Sequence, residues 1–281
     1  MDYENAAPRG KDLIISGIRH FDPEQTLDCG QCFRWKGSDD VPGSVFTGFA
    51  HGRRLELRVV DGCDLVLGDV SPNEFETIWK GYFDLDRDYG SLRKSFSREP
   101  HLSRAAEFSP GLRLLRQEPW ETLITFILSQ NSNIPRIKGM ISRLCECFGT
   151  PLRGGGYAFP DARKLAGLSA RDLDSVRCGY RAAYIIDAAS MVSDGRMDLG
   201  ELALLPSEQM VKSLMRIRGV GPKVADCTLL FGFGRVERVP LDVWMKRVMS
   251  RFYPEGLPGN LLPVAGIAQQ FLFRYARANL R

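Results

Sequence analysis

Residues 213–231 read SLMRIRGVGPKVADCTLLF, and the spacing of its apolar positions predicts a helix, a tight turn and a second helix. Gly219 and Gly221 allow backbone angles that a side chain would forbid, and Pro222 suits the first turn of the second helix. Lys223 follows at once, with Cys227 one helical turn later on the same face. A turn of this kind leaves backbone N–H groups unpaired at a helix N-terminus, where they can take a phosphate. Carbonyls on its other side, those of Met215, Ile217 and Val220, could together hold a monovalent or hard cation. Alone, the same stretch also reads as a packing corner with a solvated lysine.

Downstream, ERVPLDVWMKRVM (237–249) narrows the choice. Pro240 ends the preceding segment and Asp242 can cap the next helix. A helix N-terminus favours a negative charge. A carboxylate working with a lysine amine supplies a nucleophile and a charge stabiliser, the pair that attack on an electron-poor sugar carbon needs.

The first third of the chain reads differently. SVFTGFAHG (44–52) is strand-like, and RRLELRVVDGCDLVLGDV (53–70) alternates at Leu55, Leu57 and Val59 before breaking at Asp61-Gly62, a hairpin signal. Ser71-Pro72-Asn73-Glu74 then forms a capping box, and Phe75, Ile78, Trp79, Tyr82 and Phe83 follow as a helical stripe for the core. Beyond about residue 111 helices dominate. PWETLITFILSQ, with its polar pair Ser129-Gln130, comes first, and SNIPRIKGMISRLCECFG closes on Gly149. RAAYIIDAASMVSDG, SEQMVKSLMRI and VAGIAQQFLFRYARANL follow. The fold class is α+β: a small N-terminal antiparallel β-sheet domain over 1–110, then a mainly α-helical domain over 111–281 with the hairpin at about 210–230.

Composition bounds the function loosely. The 281 residues suffice for one large core or two modest ones, and 44% hydrophobic with 26% charged is ordinary for a globular chain. No run approaches the roughly 18 apolar residues of a membrane span. The opening MDYENAAPRGKDLIISG lacks the pattern of a secretory leader, and an odd count of seven cysteines points to a reducing, intracellular setting. A net charge of +4, from 38 Lys+Arg against 34 Asp+Glu, permits a nucleic-acid partner without announcing one.

The hairpin with Lys223 and the V-P-x-D before Asp242 resemble the helix-hairpin-helix, Gly/Pro-Asp superfamily of DNA base-excision glycosylases. Within it the chain is similar to the bifunctional 8-oxoguanine DNA glycosylase/lyases. GQCFRW (30–35), YFDLD (82–86), GLRLLRQEPWETLITFILSQNSNIPRI (111–137), GYRAAYI (179–185), GVGPKVADC (219–227) and AGIAQQFLF (265–273) carry that likeness in order along nearly the whole chain. It implies a monomer acting on double-stranded DNA that contains 8-oxoguanine, with strand cleavage at the abasic site and no required cofactor. By resemblance, Lys223 attacks C1′ of the deoxyribose to form a Schiff base, and Asp242 stabilises positive charge on the sugar. Gly219, Gly221 and Lys223 meet DNA phosphate.

A glycosylase inspects its base outside the stack. 8-Oxoguanine carries an N7–H donor where guanine has an acceptor, so one backbone carbonyl can tell them apart. The resemblance gives that carbonyl to Gly30, the Watson–Crick edge to Gln269, and the two faces of the base to Phe273 and Cys227. Asn131 fills the vacated gap, Tyr180 wedges between base pairs, and Arg136 and Arg181 read the opposite cytosine. The chain departs from the family pattern at Trp244, where some relatives have a phosphate-touching histidine, and at NSN (131–133) in place of an all-asparagine run.

Metals are not expected beyond the hairpin cation. Cys29-x-x-Cys32 and Cys145-x-Cys147 lack zinc spacing, all three histidines lie in the first 101 residues, and no cysteine beyond Cys227 is available for an iron–sulfur cluster. The competing readings are another glycosylase, for alkylated purines or adenine, and a non-enzymatic DNA-binding hairpin. The last would need neither Lys223 nor Asp242. Location follows the DNA: nucleoid and cytoplasm in a bacterium, nucleus in a eukaryote.

Overall fold

The structure is a computed structural model that describes residues 2–41, 44–60, 62 and 64–280. Six strands form one antiparallel sheet: β1 (Asn5–Arg9), β2 (Asp12–Ser16), β3 (Trp35–Gly37), β4 (Val45–Ala50), β5 (Arg53–Val60) and β6 (Asp64–Leu67), in the order β1-β2-β6-β5-β4-β3. The main helices are α1 (Pro23–Leu27), α2 (Tyr89–Phe96), α3 (Pro100–Phe108), α4 (Pro119–Leu128) and α5 (Ile134–Phe148). They continue with α6 (Arg181–Ser193), α7 (Ser207–Leu214), α8 (Pro222–Cys227), α9 (Val243–Phe252) and α10 (Ala265–Asn279). No helix among the described residues is long and apolar enough to cross a membrane. An N-terminal antiparallel sheet followed by a helical domain is the class expected.

Alternation along β5 holds at Leu55 and Leu57, which are buried, while Val59 near the hairpin is half-buried, and Val60 pairs with Asp64 across the turn. Gly62 takes a left-handed φ of 72° at its turn, while Asp61 lies outside the described residues. The Ser71 capping box forms as the sequence demands, with Ser71 Oγ accepting from the Glu74 amide and Glu74 accepting from the Ser71 amide. Phe75, Trp79, Tyr82 and Phe83 are buried behind it, and Ile78 is half-buried. Trp35 Nε1 donates to Tyr82 Oη at 2.7 Å, which fixes β3 to this aromatic helix.

By packing, the chain divides into two units that each draw on separated segments. The first unit joins residues 1–48, 55–116 and 241–281, and the second joins 49–54 to 117–240. The reason is the apolar face of α10. Phe271 meets Phe96 of α2 with ring centroids 5.6 Å apart, and Arg274 donates to Ser109 Oγ at 2.9 Å beyond the end of α3. Tyr253 Oη bonds to Glu99, whose carboxylate caps α3. The last two helices therefore belong with the sheet.

One charged side chain organises the first unit. Arg113 is fully buried, and its guanidinium donates to the Asp2 carboxylate at 2.5 Å, to the Asp84 carbonyl at 2.8 Å and to the His20 carbonyl at 3.0 Å. It lies 4.3 Å from the Tyr89 ring centroid. In the second unit α4 is the buried centre, with Phe126 stacked on Phe231 at 5.4 Å.

Candidate active site and DNA-reading groups

In the second unit, α7 ends at Leu214 and α8 begins at Pro222, so 215–221 is the turn expected. Gly219 has φ 80°, and a Cβ there would sit 2.2 Å from the Tyr184 ring of α6. Gly219 is thus a glycine for conformation and packing within the protein. Gly221 differs: its backbone is extended, and nothing lies within 4 Å of where its Cβ would be. No fold requirement explains Gly221, and the space it leaves at the start of α8 suits the approach of another backbone. The Ile217 carbonyl accepts the Val220 amide at 3.0 Å, so a cation here would share an oxygen already in use.

Lys223 is half-buried. Its Nζ donates to Ser129 Oγ at 3.2 Å and lies 4.9 Å from the Phe126 ring centroid. The Ser129 hydroxyl proton is committed to the Phe126 carbonyl at 2.8 Å, which leaves a lone pair for the amine. The last turn of α4 thus holds the lysine in place. Ser129 stood out in the sequence only as the polar end of a helix, and its role becomes visible when a residue far along the chain lands on it. Cys227 is buried on α8 in the same unit.

In the first unit, Gly30 has φ 86°, so glycine is required there by conformation as well as by space. Its neighbours hold it from both sides. Gln31, fully buried, donates to the Thr26 and Arg113 carbonyls at 2.9 and 2.8 Å and accepts from the Leu115 amide at 2.9 Å. No described group donates to the Gly30 carbonyl. On α10, Gln269 is buried and its Oε1 has no hydrogen-bond partner among the described residues, an acceptor without a donor. Phe273 shares its face one turn on and carries the Arg277 guanidinium 5.6 Å from its ring centroid. Asp242 caps α9 by accepting from the Met245 amide at 2.8 Å.

Four residues expected at the DNA gap gather in the second unit. Asn131 adopts φ 46° and its Nδ2 donates to Tyr180 Oη at 3.1 Å, so the gap filler and the wedge are joined. Tyr180 is 51% exposed, as an intercalating ring must be. Arg136 is exposed on the first turn of α5. Arg181 is the departure, being only 2% exposed. Its guanidinium donates to the carbonyls of Gln130, Asn131 and Cys178 and lies 4.7 Å from the Tyr180 ring centroid. In this state it shapes the 130–131 loop; it does not project as a reader.

Trp244, where the sequence departs from the family pattern, has Arg247 5.0 Å from its ring centroid on the next turn of α9. Cys29 and Cys32 are reduced and buried, with thiols donating to the Thr26 and Leu27 carbonyls at 3.2 and 3.3 Å. Among the described residues no three His, Cys, Asp or Glu side chains gather as a metal site requires.

The family model of the 8-oxoguanine DNA glycosylase N-terminal domain matches residues 13–123. That of the HhH-GPD superfamily base excision DNA repair proteins matches 124–256. The chain belongs to the 8-oxoguanine DNA glycosylases of the HhH-GPD superfamily. This glycosylase is 35% identical over 255 residues to the N-glycosylase/DNA lyase of Saccharomyces cerevisiae, covering 81% of this chain and 67% of that one. Its backbone matches that of MBOgg1 in complex with a low affinity DNA ligand, with a TM-score of 0.92, 40% identity and 99% of each chain covered. It also matches the 8-oxoguanine glycosylase/lyase of Clostridium acetobutylicum bound to double-stranded DNA with cytosine opposite 8-oxoguanine. There the TM-score is 0.92 and the identity 34%, with 99% of each chain covered.

Proposed function

We propose that this glycosylase removes 8-oxoguanine from duplex DNA and then cuts the strand at the sugar left behind, working wherever the genome is kept. The observation that carries the reading is the hairpin: a half-buried lysine amine held by Ser129 and Phe126 at the start of a helix whose N-cap glycine leaves open space. Phosphate settles on the turn at Gly219 and Gly221, and the nucleotide swings out of the stack. Gly30 accepts from N7–H of the base, the orphan Oε1 of Gln269 accepts from its Watson–Crick edge, and Phe273 and Cys227 cover its faces.

The neutral amine of Lys223 forms a bond to C1′ as the bond from C1′ to the base breaks, and the electron pair leaves with the base. Asp242, anchored as an N-cap, stabilises the positive charge that builds on the sugar. Ring opening gives the Schiff base, loss of a C2′ proton expels the 3′ phosphate, and water frees the lysine. Asn131 and Tyr180 occupy the gap, Arg136 selects cytosine across it, and Arg181 holds the 130–131 loop that carries Asn131. A cation on the carbonyls of Met215, Ile217 and Val220 would pin the turn and would show as a rise in Tm with potassium over a bulky organic cation.

The test is borohydride trapping on DNA containing the lesion. Lys223→Gln is expected to bind that DNA and form no trapped adduct; adduct at wild-type yield would reject the assignment. Asp242→Asn keeps a cap-competent side chain while losing the charge, so excision is expected to slow by about a hundredfold or more. An unchanged rate would leave Asp242 as a cap alone.

A further inference from the structure

We infer that Cys29 and Gln270 are a positioning pair that holds the lesion-reading carbonyl of Gly30 at a fixed distance from the base-reading face of α10. This rests on the proposed reading of N7–H by Gly30. Gln270 sits beside Gln269 in the chain and is buried. Its Nε2 donates to the Cys29 carbonyl at 3.3 Å and to Cys29 Sγ at 3.2 Å. The thiol itself donates to the Thr26 carbonyl at 3.2 Å. Sulfur is therefore donor and acceptor at once, a junction between α1, the Gly30 loop and α10. Burial pushes the Cys29 thiol up, which keeps it protonated and suited to both bonds.

The geometry assigns a division of labour to two adjacent glutamines. Gln269 presents a buried oxygen with no described partner. Gln270 spends its amide on the residue before Gly30. Gln31, on the other side of Gly30, is tied to Thr26 and to the 113–115 segment. The Cys29–Gln270 bond is a polar link between the Gly30 loop and α10. A carbonyl that must separate N7–H from a bare N7 works only at hydrogen-bond distance, and a displacement near 1 Å costs on the order of a hundredfold in rate.

The test uses the full chain and three variants. Gln270→Met removes both donors at similar length, Cys29→Ala removes the junction, and Cys29→Ser keeps a donor and an acceptor. For each, excision of 8-oxoguanine and cleavage at a preformed abasic site are measured on the same duplex sequence, with kcat and KM separated and Tm recorded. The expected result is a fall of about ten- to a hundredfold in the ratio of excision to abasic cleavage for Gln270→Met and Cys29→Ala. Cys29→Ser is expected to stay close to the native ratio. A native ratio in Cys29→Ala, or equal losses in both activities tracking Tm, would overturn the inference. A separate arm gives the native enzyme 8-oxoguanine methylated at N7. Undiminished excision of that base would overturn the Gly30 reading, and the inference with it. Poor excision together with native ratios in both variants would overturn the positioning pair alone.

Discussion

At Gly30 the φ of 86° shows that the turn itself calls for glycine, beside any close approach of a base. Gly30→Ala is accordingly expected to cost about 1–2 kcal/mol of stability from the left-handed backbone alone. Excision should fall beyond that while abasic cleavage survives, which calls for assays well below the lowered Tm; losses in step would make Gly30 a structural glycine. Ser129 offers a cleaner substitution. Ser129→Ala leaves the Lys223 amine without its fixed acceptor, and the rate of borohydride trapping is expected to drop about tenfold, the worth of one hydrogen bond. Ser129→Thr should restore it, and a native rate in Ser129→Ala would make the contact incidental. Neither Ser129 nor Gln270 was legible beforehand, because what a buried polar residue does depends on partners distant in the chain. The turn before Lys223 was legible because it is written in glycine and proline, close together in the chain.

Among the elements, α9 shows how a missing residue can be replaced by geometry. Trp244 has no side chain for charged contact with phosphate, yet it supports Arg247 on the next turn, a cation on an aromatic plank. Arg247→Ala is expected to weaken binding to any duplex and to lower the dependence of log Kd on log salt by about one unit, with base preference unchanged. An unaltered salt slope would leave Arg247 a solvated side chain. The loop after α4 makes the opposite point. Arg136 and Arg181 look alike in sequence, but one is exposed and the other spends its guanidinium on the Gln130, Asn131 and Cys178 carbonyls. Arg136→Ala should therefore relax the preference for cytosine at little cost to the fold. Arg181→Ala should also destabilise the protein and weaken excision opposite all four bases, as titration against each opposing base would show. Strands β1 and β2 escaped the sequence reading for a related reason. NAAPR has almost no strand-forming side chains, and edge strand β1 owes its conformation to pairing with β2 from Asn5↔Ser16 to Arg9↔Asp12.

For the molecule as a whole, the fold class could be read from the change in periodicity near residue 111, while the packing of α10 against α2 could not, since nothing local in α10 says which core it will join. Stability of the first unit is expected to hinge on Arg113. Replacing it with Met strands the Asp2 carboxylate and several carbonyls, and urea unfolding should show a loss of about 3–5 kcal/mol, the cost of breaking a buried pair by removing one partner. A loss under about 1 kcal/mol would mean that water replaces the guanidinium without difficulty. The partition also has a consequence in time. The first unit is assembled from the beginning and the end of the chain, with 117–240 emerging between them. On the ribosome the segment that carries the hairpin lysine can fold while the sheet is still waiting for α10. The Cys29 carbonyl meets Gln270 only after 117–240 has emerged, so the lysine-bearing hairpin is complete before the Gly30 loop gains its anchor on α10.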